Sequence, residues 1–372
     1  MCDLTTHDDW LTTDNAAAIV IREPLVPVEG SDGVLFPATY AATKDKKFPG
    51  GYNIDPPEGY KNVCLVDSVG SQANRIEPIF AKPSYAQLVP QIVIQAGEKS
   101  VNLLEAGHRA GDAIVRCTSL QKSLQDAFKD VLRGNAYAMA KIAPTSLVFG
   151  VWDSRDTQAK LPRLVASTIR AFDVQALKRG AVYVPPVNYV NMEVFTEEEQ
   201  EAASGDEKNP LSKRGFVNAL ASATHGGVIA ERGVRRDVTL SLAALRLLSA
   251  GDDADQTLAL RRYVLGLSLV ALTAPPATYL RQGCNLVPDA DHPRSLKVVR
   301  VDGTRCDLNL THEQAISFAT LAANDFRVGE SQTITFDPYL AKKDITGKGD
   351  IAPTKKGRAQ AKAKAAVEPK PE

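Results

Sequence analysis

The stretch NVCLVDSVGSQANRIE (residues 62–77) joins two local patterns at one point. The apolar residues 63–66 predict a buried strand over 62–67, and the polar residues that follow predict a helix capped by Ser68. The first N–H groups of a helix lack intrahelical partners and carry partial positive charge, so they suit a phosphate. Two interpretations stay open: an ordinary capped helix with Arg75 in solvent, or a phosphate site to which Arg75 adds a bidentate grip.

Outside this stretch, strand and helix patterns follow each other without a regular βαβ order, which favours an α+β domain over a doubly wound sheet. Helices are predicted at about 69–82, 119–142 with a break at Gly134 and Asn135, 254–273 and 311–326. Strands are predicted at 16–28, 62–67, 146–153, 281–287 and 295–303, with a loop and short strand over 101–116 and a strand, turn and helix over 225–250. The pattern over 161–174 fits either a helix or a strand, and a strand is favoured after residue 164.

Three parts of the chain are distinguished by composition. Residues 1–15 are expected to be a flexible N-terminus, and residues 16–336 one domain with insertions near 29–61 and 195–214. Residues 337–372 are expected to be a disordered basic tail, because apolar residues become rare after Pro338. From Ala341 to Glu372 there are nine Lys or Arg and four Asp or Glu, so this end carries +5 and the rest −5.

The balance of charge limits how the chain could bind a polyanion. Lys and Arg together number 44, as do Asp and Glu, so a nucleic-acid site must be a local groove. Five cysteines without a C-x-x-C pair predict reduced thiols and a cytoplasmic protein. The start lacks a signal peptide pattern, and the most apolar window, 263–276, is too short to span a membrane.

Recognised catalytic patterns are absent from the sequence. It contains no phosphate-binding loop, no G-x-G-x-x-G after a strand, no H-E-x-x-H and no G-x-S-x-G. The five histidines are far apart, so their spacing does not indicate a metal site. We therefore expect no enzyme activity, no cofactor and no metal.

Arginine and glycine recur where strands meet turns or helices. Arginine recognises phosphate with a planar fork of donors, and glycine lets a ligand approach the backbone closely. Together they predict a protein that holds a polyanion by its backbone. The residues expected to contact it are Ser68, Ser71, Gln72, Asn74, Arg75, His108, Arg109, Arg163, Arg170, Gly226, Gly227, Arg232, Arg235, Arg236, Arg281 and Gln282. For Arg235 and Arg236, ion pairing with Glu231 or Asp237 is an equal alternative.

Several of these stretches together resemble one family, the backbone subunit of the type I-G (formerly I-U) CRISPR Cascade complex, in the RAMP superfamily. The resemblance runs from about residue 16 to 335. It is carried by NVCLVDSVGSQANRIEPIF (62–80), LLEAGHRAGDAIVR (103–116), PTSLVFGVWDSRDTQAKLPRLVASTIRAFDV (144–174), ERGVRRDVTLSLAALRLL (231–248), LRRYVLGLSLVALT (260–273) and LRQGCNLV (280–287).

The resemblance implies a modified RRM-like (ferredoxin-like) antiparallel sheet with large insertions, a palm with thumb-like excursions for which 29–61 and 195–214 are candidates. It implies a CRISPR RNA-binding subunit that polymerises head-to-tail along the guide as a helical filament. The guide would then pair with target DNA in antiviral defence, and further partners would be other Cascade subunits and a helicase–nuclease, with no membrane. The helix start would grip guide phosphates. The aromatic signatures of ordinary RRM proteins are not found, which leaves base stacking without an assigned residue.

Two other classes of function stay open. Some RAMP relatives cleave RNA with a loop aspartate or histidine, and a RAMP-type endoribonuclease here would use His108, His225 or Asp153. A small-molecule enzyme is disfavoured by the missing motifs. Regularly spaced cuts in complementary RNA would favour the endoribonuclease, and a tightly bound cofactor would favour the small-molecule enzyme.

Overall fold

The antiparallel sheet anticipated from the strand patterns is the centre of the molecule in a computed structural model. The structure describes residues 3–45, 47–56, 61–206 and 208–346, with the backbone alone at 221–224. The strands are β1 (Ala16–Pro27), β2 (Thr39–Tyr40), β3 (Gly51–Tyr52), β4 (Ile54–Asp55), β5 (Val63–Asp67), β6 (Ile92–Ala96), β7 (Lys99–Asn102), β8 (Val151–Trp152), β9 (Lys160–Leu161), β10 (Val165–Phe172), β11 (Val174–Tyr183), β12 (Ala219–Ala230), β13 (Val234–Ser241), β14 (Tyr279–Arg281), β15 (Cys284–Pro288), β16 (Ser295–Arg300), β17 (Arg305–Asp307) and β18 (Gln332–Thr335).

The largest sheet has the strand order β14-β15-β1-β13-β10-β5-β4, and β16 joins β1 at its other end with β17 outside it. Its pairings are all antiparallel within the described residues. Alternate residues of β10 and β13 are buried against the core, whereas their neighbours line the opposite face. The α+β class with an antiparallel sheet is confirmed, and the architecture is compatible with an RRM-like fold that carries insertions.

Most helices lie on the buried side of this sheet, and two short ones lie apart from it in the segment 184–218. They are α1 (Asp8–Thr12), α2 (Val69–Ile76), α3 (Ala113–Arg116), α4 (Gln121–Leu132), α5 (Tyr137–Ile142), α6 (Thr145–Phe149), α7 (Glu197–Ala203), α8 (Pro210–Lys213), α9 (Leu242–Leu245), α10 (Ala254–Thr273), α11 (His312–Phe326) and α12 (Pro338–Thr346). No helix of the described ranges is long and apolar enough to cross a membrane.

Helix α10 is the centre of the main hydrophobic core. Its residues from Tyr263 to Thr273 are buried on every side, so it shows no polar face. Gly266 lets α11 approach closely, because a Cβ there would lie 2.8 Å from Ala319 Cα. The predicted helices 254–273 and 311–326, with Thr311 as N-cap, are both confirmed.

A long hairpin of β11 and β12 leaves the main sheet and carries the segment 184–218 at its end. Most residues of β11 are exposed, and the predicted exposed excursion at 195–214 contains α7 and α8. This hairpin projects from the sheet, and its role as the thumb-like insertion stays a prediction. The second candidate, 29–61, folds partly as β2, β3 and β4, and its residues 46 and 57–60 lie outside the described part.

Three predicted elements are wrong. Residues 145–149 form α6 rather than a strand; all five are buried, and Gly150 ends the helix with φ of +75°. Residues 113–116 form α3, capped by Asp112, instead of a short strand. Residues 234–241 form strand β13, paired on both sides, where a turn leading into a helix was expected. Tertiary pairing decided these short segments, whose composition fits either state.

Both ends of the described chain contain a helix. The expected flexible N-terminus includes α1, where Leu11 is fully buried and Asp8 pairs with Arg262 at 2.5 Å. The expected disordered tail begins with α12, whose Asp344 receives a hydrogen bond of 2.7 Å from buried Arg116. The remainder of the tail, 347–372, lies outside the described residues.

Candidate nucleic-acid interface

A cavity of about 660 Å³, here called the basic pocket, opens beside the start of α2. It is lined by residues of three loops, 107–111, 150–155 and 160–163. Its cationic side chains are His108, Arg109, Arg155, Lys160 and Arg163. Arg155, Lys160 and Arg163 form no ion pair with a described residue, so the pocket carries an excess of positive charge.

Helix α2 adjoins this pocket through its N-terminal turn. Ser68 Oγ caps the helix by accepting a hydrogen bond of 3.2 Å from the Ser71 amide. A Cβ on Gly70 would lie 3.9 Å from Nη2 of Arg163, so the guanidinium stands beside the helix start. Arg163 is itself oriented by a bond of 2.9 Å from its Nε to the Phe149 carbonyl. The cap by Ser68 is therefore observed, whereas a phosphate site at this helix start stays a prediction.

The rim of the pocket holds an exposed tryptophan. Trp152 is 59% exposed, and the ammonium of Lys160 lies 5.9 Å from its ring centroid. The following loop is fixed by Asp153, whose carboxylate accepts bonds from the amides of Arg155 and Thr157 and from the Thr157 hydroxyl. Burial raises the pKa of Asp153, but these hydrogen bonds outweigh it and hold the pKa below the usual value. Asp153 thus serves as an ionised loop anchor.

Arg109 lines the pocket, and its guanidinium is bound to other groups of the protein. Its Nε lies 2.6 Å from Oε2 of Glu77, its Nη1 donates to the Gly150 carbonyl and its Nη2 donates to Asn74 Oδ1. The backbone of Arg109 has φ of +51°, a region that non-glycine residues seldom occupy. Burial raises the pKa of Glu77 to about 7. This pair fastens α2 to the loops that form the pocket.

Arg75 is placed away from the basic pocket. Its Nε lies 3.1 Å from Asp67, and its Nη2 donates to the Leu280 carbonyl at 2.7 Å. The same buried carboxylate accepts bonds from Gln72 at 2.7 Å and from Arg281 at 3.0 Å. The structure therefore uses Gln72, Arg75 and Arg281 to dock α2 on the sheet, and their contact with RNA stays a prediction.

Gly226 and Gly227 of β12 lie in close contact with other segments of the same chain. A Cβ on Gly227 would lie 2.3 Å from Val34 Cγ1 and 2.9 Å from the Leu35 carbonyl, and one on Gly226 would lie 2.9 Å from the Leu177 carbonyl. These glycines are thus explained by close packing inside the protein, where the sequence predicted room for a ligand.

The open face of the sheet gathers a further pair of predicted residues. Arg170 and Arg235 face each other on β10 and β13 and line a shallow depression of about 470 Å³. Arg235 bonds Asp237 at 2.8 Å, and its guanidinium lies 4.6 Å from the ring centroid of Phe172. The ion-pairing alternative for Arg235 is thus the one observed, while Arg236 pairs with Glu23.

The remaining predicted residues are scattered. Arg232 is exposed at the β12–β13 turn and lies 3.7 Å from Asp173, and Gln282 is exposed in the β14–β15 turn. His225 packs its ring against Tyr52 at 4.9 Å, far along the hairpin. Groups of three or more His, Cys, Asp or Glu able to hold a metal are absent among the described residues.

The first half of the chain carries the resemblance seen in the comparisons. Residues 19–176 match the family described as CRISPR-associated protein GSU0053. The matched segment is less than half of the 372 residues, and it includes α2 and every residue that lines the basic pocket. The match indicates a CRISPR-associated protein family, in agreement at that level with the resemblance found in the sequence. A comparison with curated proteins gives no match.

Sequence reasoning missed residues on both sides of α2. Trp152, Arg155 and Lys160 lie in VWDSRDTQAK, where an aromatic residue among basic ones was a usable signal. Asp67 accepts hydrogen bonds from Gln72, Arg75 and Arg281, whereas the sequence pattern marked it only as the last residue of a strand. Its position directly before a helix that bears an arginine was the only hint in the sequence.

Proposed function

We propose that this chain is an RNA-binding backbone subunit of a CRISPR effector complex, the type I-G Cascade. In this role it holds the guide by phosphate and ribose and leaves the base edges free to pair with target DNA. The basic pocket beside the α2 start is the observation that carries the proposal. Three of its cations, Arg155, Lys160 and Arg163, have no carboxylate partner among the described residues, and they lie next to an exposed ring.

Physical chemistry favours single-stranded RNA as the ligand of this pocket. Unpaired arginine and lysine neutralise phosphates, and a helix N-terminus adds N–H donors. An exposed tryptophan offers a stacking surface to any base, since every base has a π-face. Such contacts are indifferent to sequence, as a subunit that must accept any guide requires. The Cas family match over residues 19–176 supports this class of partner.

The test is RNA binding by the double variant Arg155→Ala/Lys160→Ala. Both side chains are exposed, so folding should be unaffected. We expect affinity for unrelated RNA sequences to fall equally, and the slope of log K against log salt to fall by about 0.7 per lost phosphate contact. The control Lys122→Ala/Lys129→Ala removes two surface charges of α4. A loss confined to one sequence, or equal losses in both double variants, would contradict the proposal.

Assembly along the guide is part of the proposal. We propose that copies associate head-to-tail into a helical filament and that other Cascade subunits and a helicase–nuclease join them. The support comes from the β11–β12 hairpin, which projects from the sheet and exposes apolar side chains at its outer part. A heterologous contact of this kind yields an open filament when the rotation does not close a ring.

We further propose that the subunit performs no chemistry of its own. Asp153 is engaged by the hydrogen bonds of its own loop, and His225 packs on Tyr52, which leaves His108 as the exposed group at the pocket. Incubating the assembled complex with labelled complementary RNA tests this. Intact RNA is expected; regularly spaced cuts that vanish in His108→Ala would establish the endoribonuclease alternative.

A further inference from the structure

A second pocket, here called the proline-walled pocket, lies on another side of α2. It has a volume of about 370 Å³ and is formed by α2, the segment that follows it and residues 274–278 after α10. It shares no lining residue with the basic pocket. The two cavities are therefore separate sites that can be altered one at a time.

Buried Arg236 contributes to the lining of this pocket. The residue is 1% exposed, and its Nε donates a hydrogen bond of 2.6 Å to Oε2 of Glu23. Its Nη2 has no hydrogen-bond partner among the described residues, although it is buried. An unused donor on a buried charged group is costly, and native proteins usually satisfy it. A guanidinium with a spare donor in the wall of a pocket is suited to an anion that enters the pocket.

Further cations surround the same pocket. Arg75 lines it while bound to Asp67, and Lys82 lies exposed at its edge without an ion pair to any described residue. Asp67 is shared by Arg75 and Arg281, and Glu23 is taken by Arg236. Three cations, Arg75, Lys82 and Arg236, line the pocket, and no Asp or Glu of the described residues does, so the lining is cationic. The pocket attracts an anion.

The other walls are apolar and rigid. Ile76 and Ile79 face Pro275 and Pro276 across the pocket lining, and Tyr85 completes it. The Tyr85 hydroxyl is held by a contact of 2.9 Å with Nε2 of His312. Proline and tyrosine rings in a pocket lining are apolar surfaces against which a nucleobase or ribose can pack. The volume lies at the small end of ligand pockets, which suits one nucleotide.

We propose that the proline-walled pocket binds a single nucleotide unit, with its phosphate on Arg236, Arg75 and Lys82 and its ring against the prolines. The unit is either a free nucleoside monophosphate or one residue of an RNA chain, because both present the same phosphate and ring. This inference does not rest on the basic pocket, since the two sites have no residue in common.

Calorimetric titration of the full, RNA-free chain with AMP and with inorganic phosphate tests the proposal. We expect the site that Lys82→Glu weakens to bind AMP more tightly than phosphate, because only AMP contacts the apolar walls. Lys82→Glu is expected to weaken AMP binding by about tenfold, in line with one lost charge-assisted contact. Lys122→Glu, on the exposed side of α4 and outside both pockets, is the matched control and should leave AMP binding unchanged.

A second arm uses a short unstructured RNA. If AMP fails to bind but Lys82→Glu still weakens RNA binding, the unit belongs to the RNA chain, and the pocket assignment stands. Unchanged binding of both AMP and RNA in Lys82→Glu overturns the inference, and equal affinity for AMP and phosphate overturns the role of the prolines. Failure of the RNA-backbone proposal would instead appear in the Arg155→Ala/Lys160→Ala variant.

Discussion

The buried pair of Glu77 and Arg109 is the residue-scale feature with the clearest pH signature. Burial raises the pKa of Glu77 from 4.5 to about 7. A carboxyl whose pKa is raised on folding contributes stability below its unfolded pKa and loses it as pH rises to the folded value. Relative to Glu77→Gln, the wild-type free energy of unfolding should therefore fall by on the order of 3 kcal/mol between about pH 4.5 and 7, then level off.

Denaturant unfolding of both proteins at several pH values measures this difference. The variant Asp126→Asn on exposed α4 is the control, since an exposed carboxylate gives only a small change. If the wild-type free energy of unfolding instead rises relative to that of Glu77→Gln over the same pH interval, the effect of Arg109 on the pKa of Glu77 is larger than that of burial.

Trp152 provides a direct optical report on the basic pocket. The chain has two tryptophans, and the other one, Trp10 of α1, stacks on the ring of His7. In a Trp10→Phe background, emission arises from Trp152 alone. Stacking of a base on the exposed ring should quench this emission as RNA is added. Unchanged emission while RNA binding is seen by filter retention would remove Trp152 from the interface.

Some residue roles could be predicted from the sequence and others could not. The cap by Ser68 depends on neighbours three residues away, so it was readable from the local pattern. The partner of Arg281 is Asp67, more than two hundred positions away, and no local pattern encodes that pairing. The pairings of Arg109 with Glu77 and of Arg236 with Glu23 also join distant residues, so no local pattern encodes them either.

At the scale of elements, Gly227 decides how the hairpin meets segment 34–36. It has φ of +101°, and a Cβ would collide with Val34. Gly227→Ala should lower the free energy of unfolding by roughly 1–3 kcal/mol through strain and displacement of Val34. Gly180→Ala in the same hairpin meets no atom within 4 Å, so it should change stability by less than about 0.5 kcal/mol.

Thermal or urea unfolding of the two alanine variants makes this comparison. Equal stabilities would mean that segment 34–36 moves aside freely, and that the bridge between Leu35 and Val228 contributes little to holding the hairpin.

Long elements were predictable and short ones were not. Helix α10 has twenty residues of consistent pattern, so its existence followed from sequence alone. Helix α6 has five buried residues whose β-branched and aromatic composition suits a strand equally well. Its state is set by the turn at Gly150 and by packing against α10, which lie outside any local window.

At the scale of the whole molecule, helix α2 separates the two pockets that carry positive charge. One side of the helix meets loops 107–111 and 150–163, and another side meets segment 274–278. The overall charge is zero, so these local sites stand out against a neutral background, as composition predicted. Their positions could not be predicted, because each pocket is assembled from segments far apart in the chain.

The projecting hairpin makes the last prediction, on assembly. Val182 and Leu220 pair across β11 and β12 and are 54% and 57% exposed. Exposed apolar side chains on a projection favour contact with another surface, so Val182→Glu/Leu220→Glu should reduce RNA-dependent multimers to smaller particles. Leu247→Glu, at a position 82% exposed outside the hairpin, is the matched control. Mass photometry with guide RNA distinguishes the variants; multimers of wild-type size in the double variant would place the contact between copies elsewhere on the molecule.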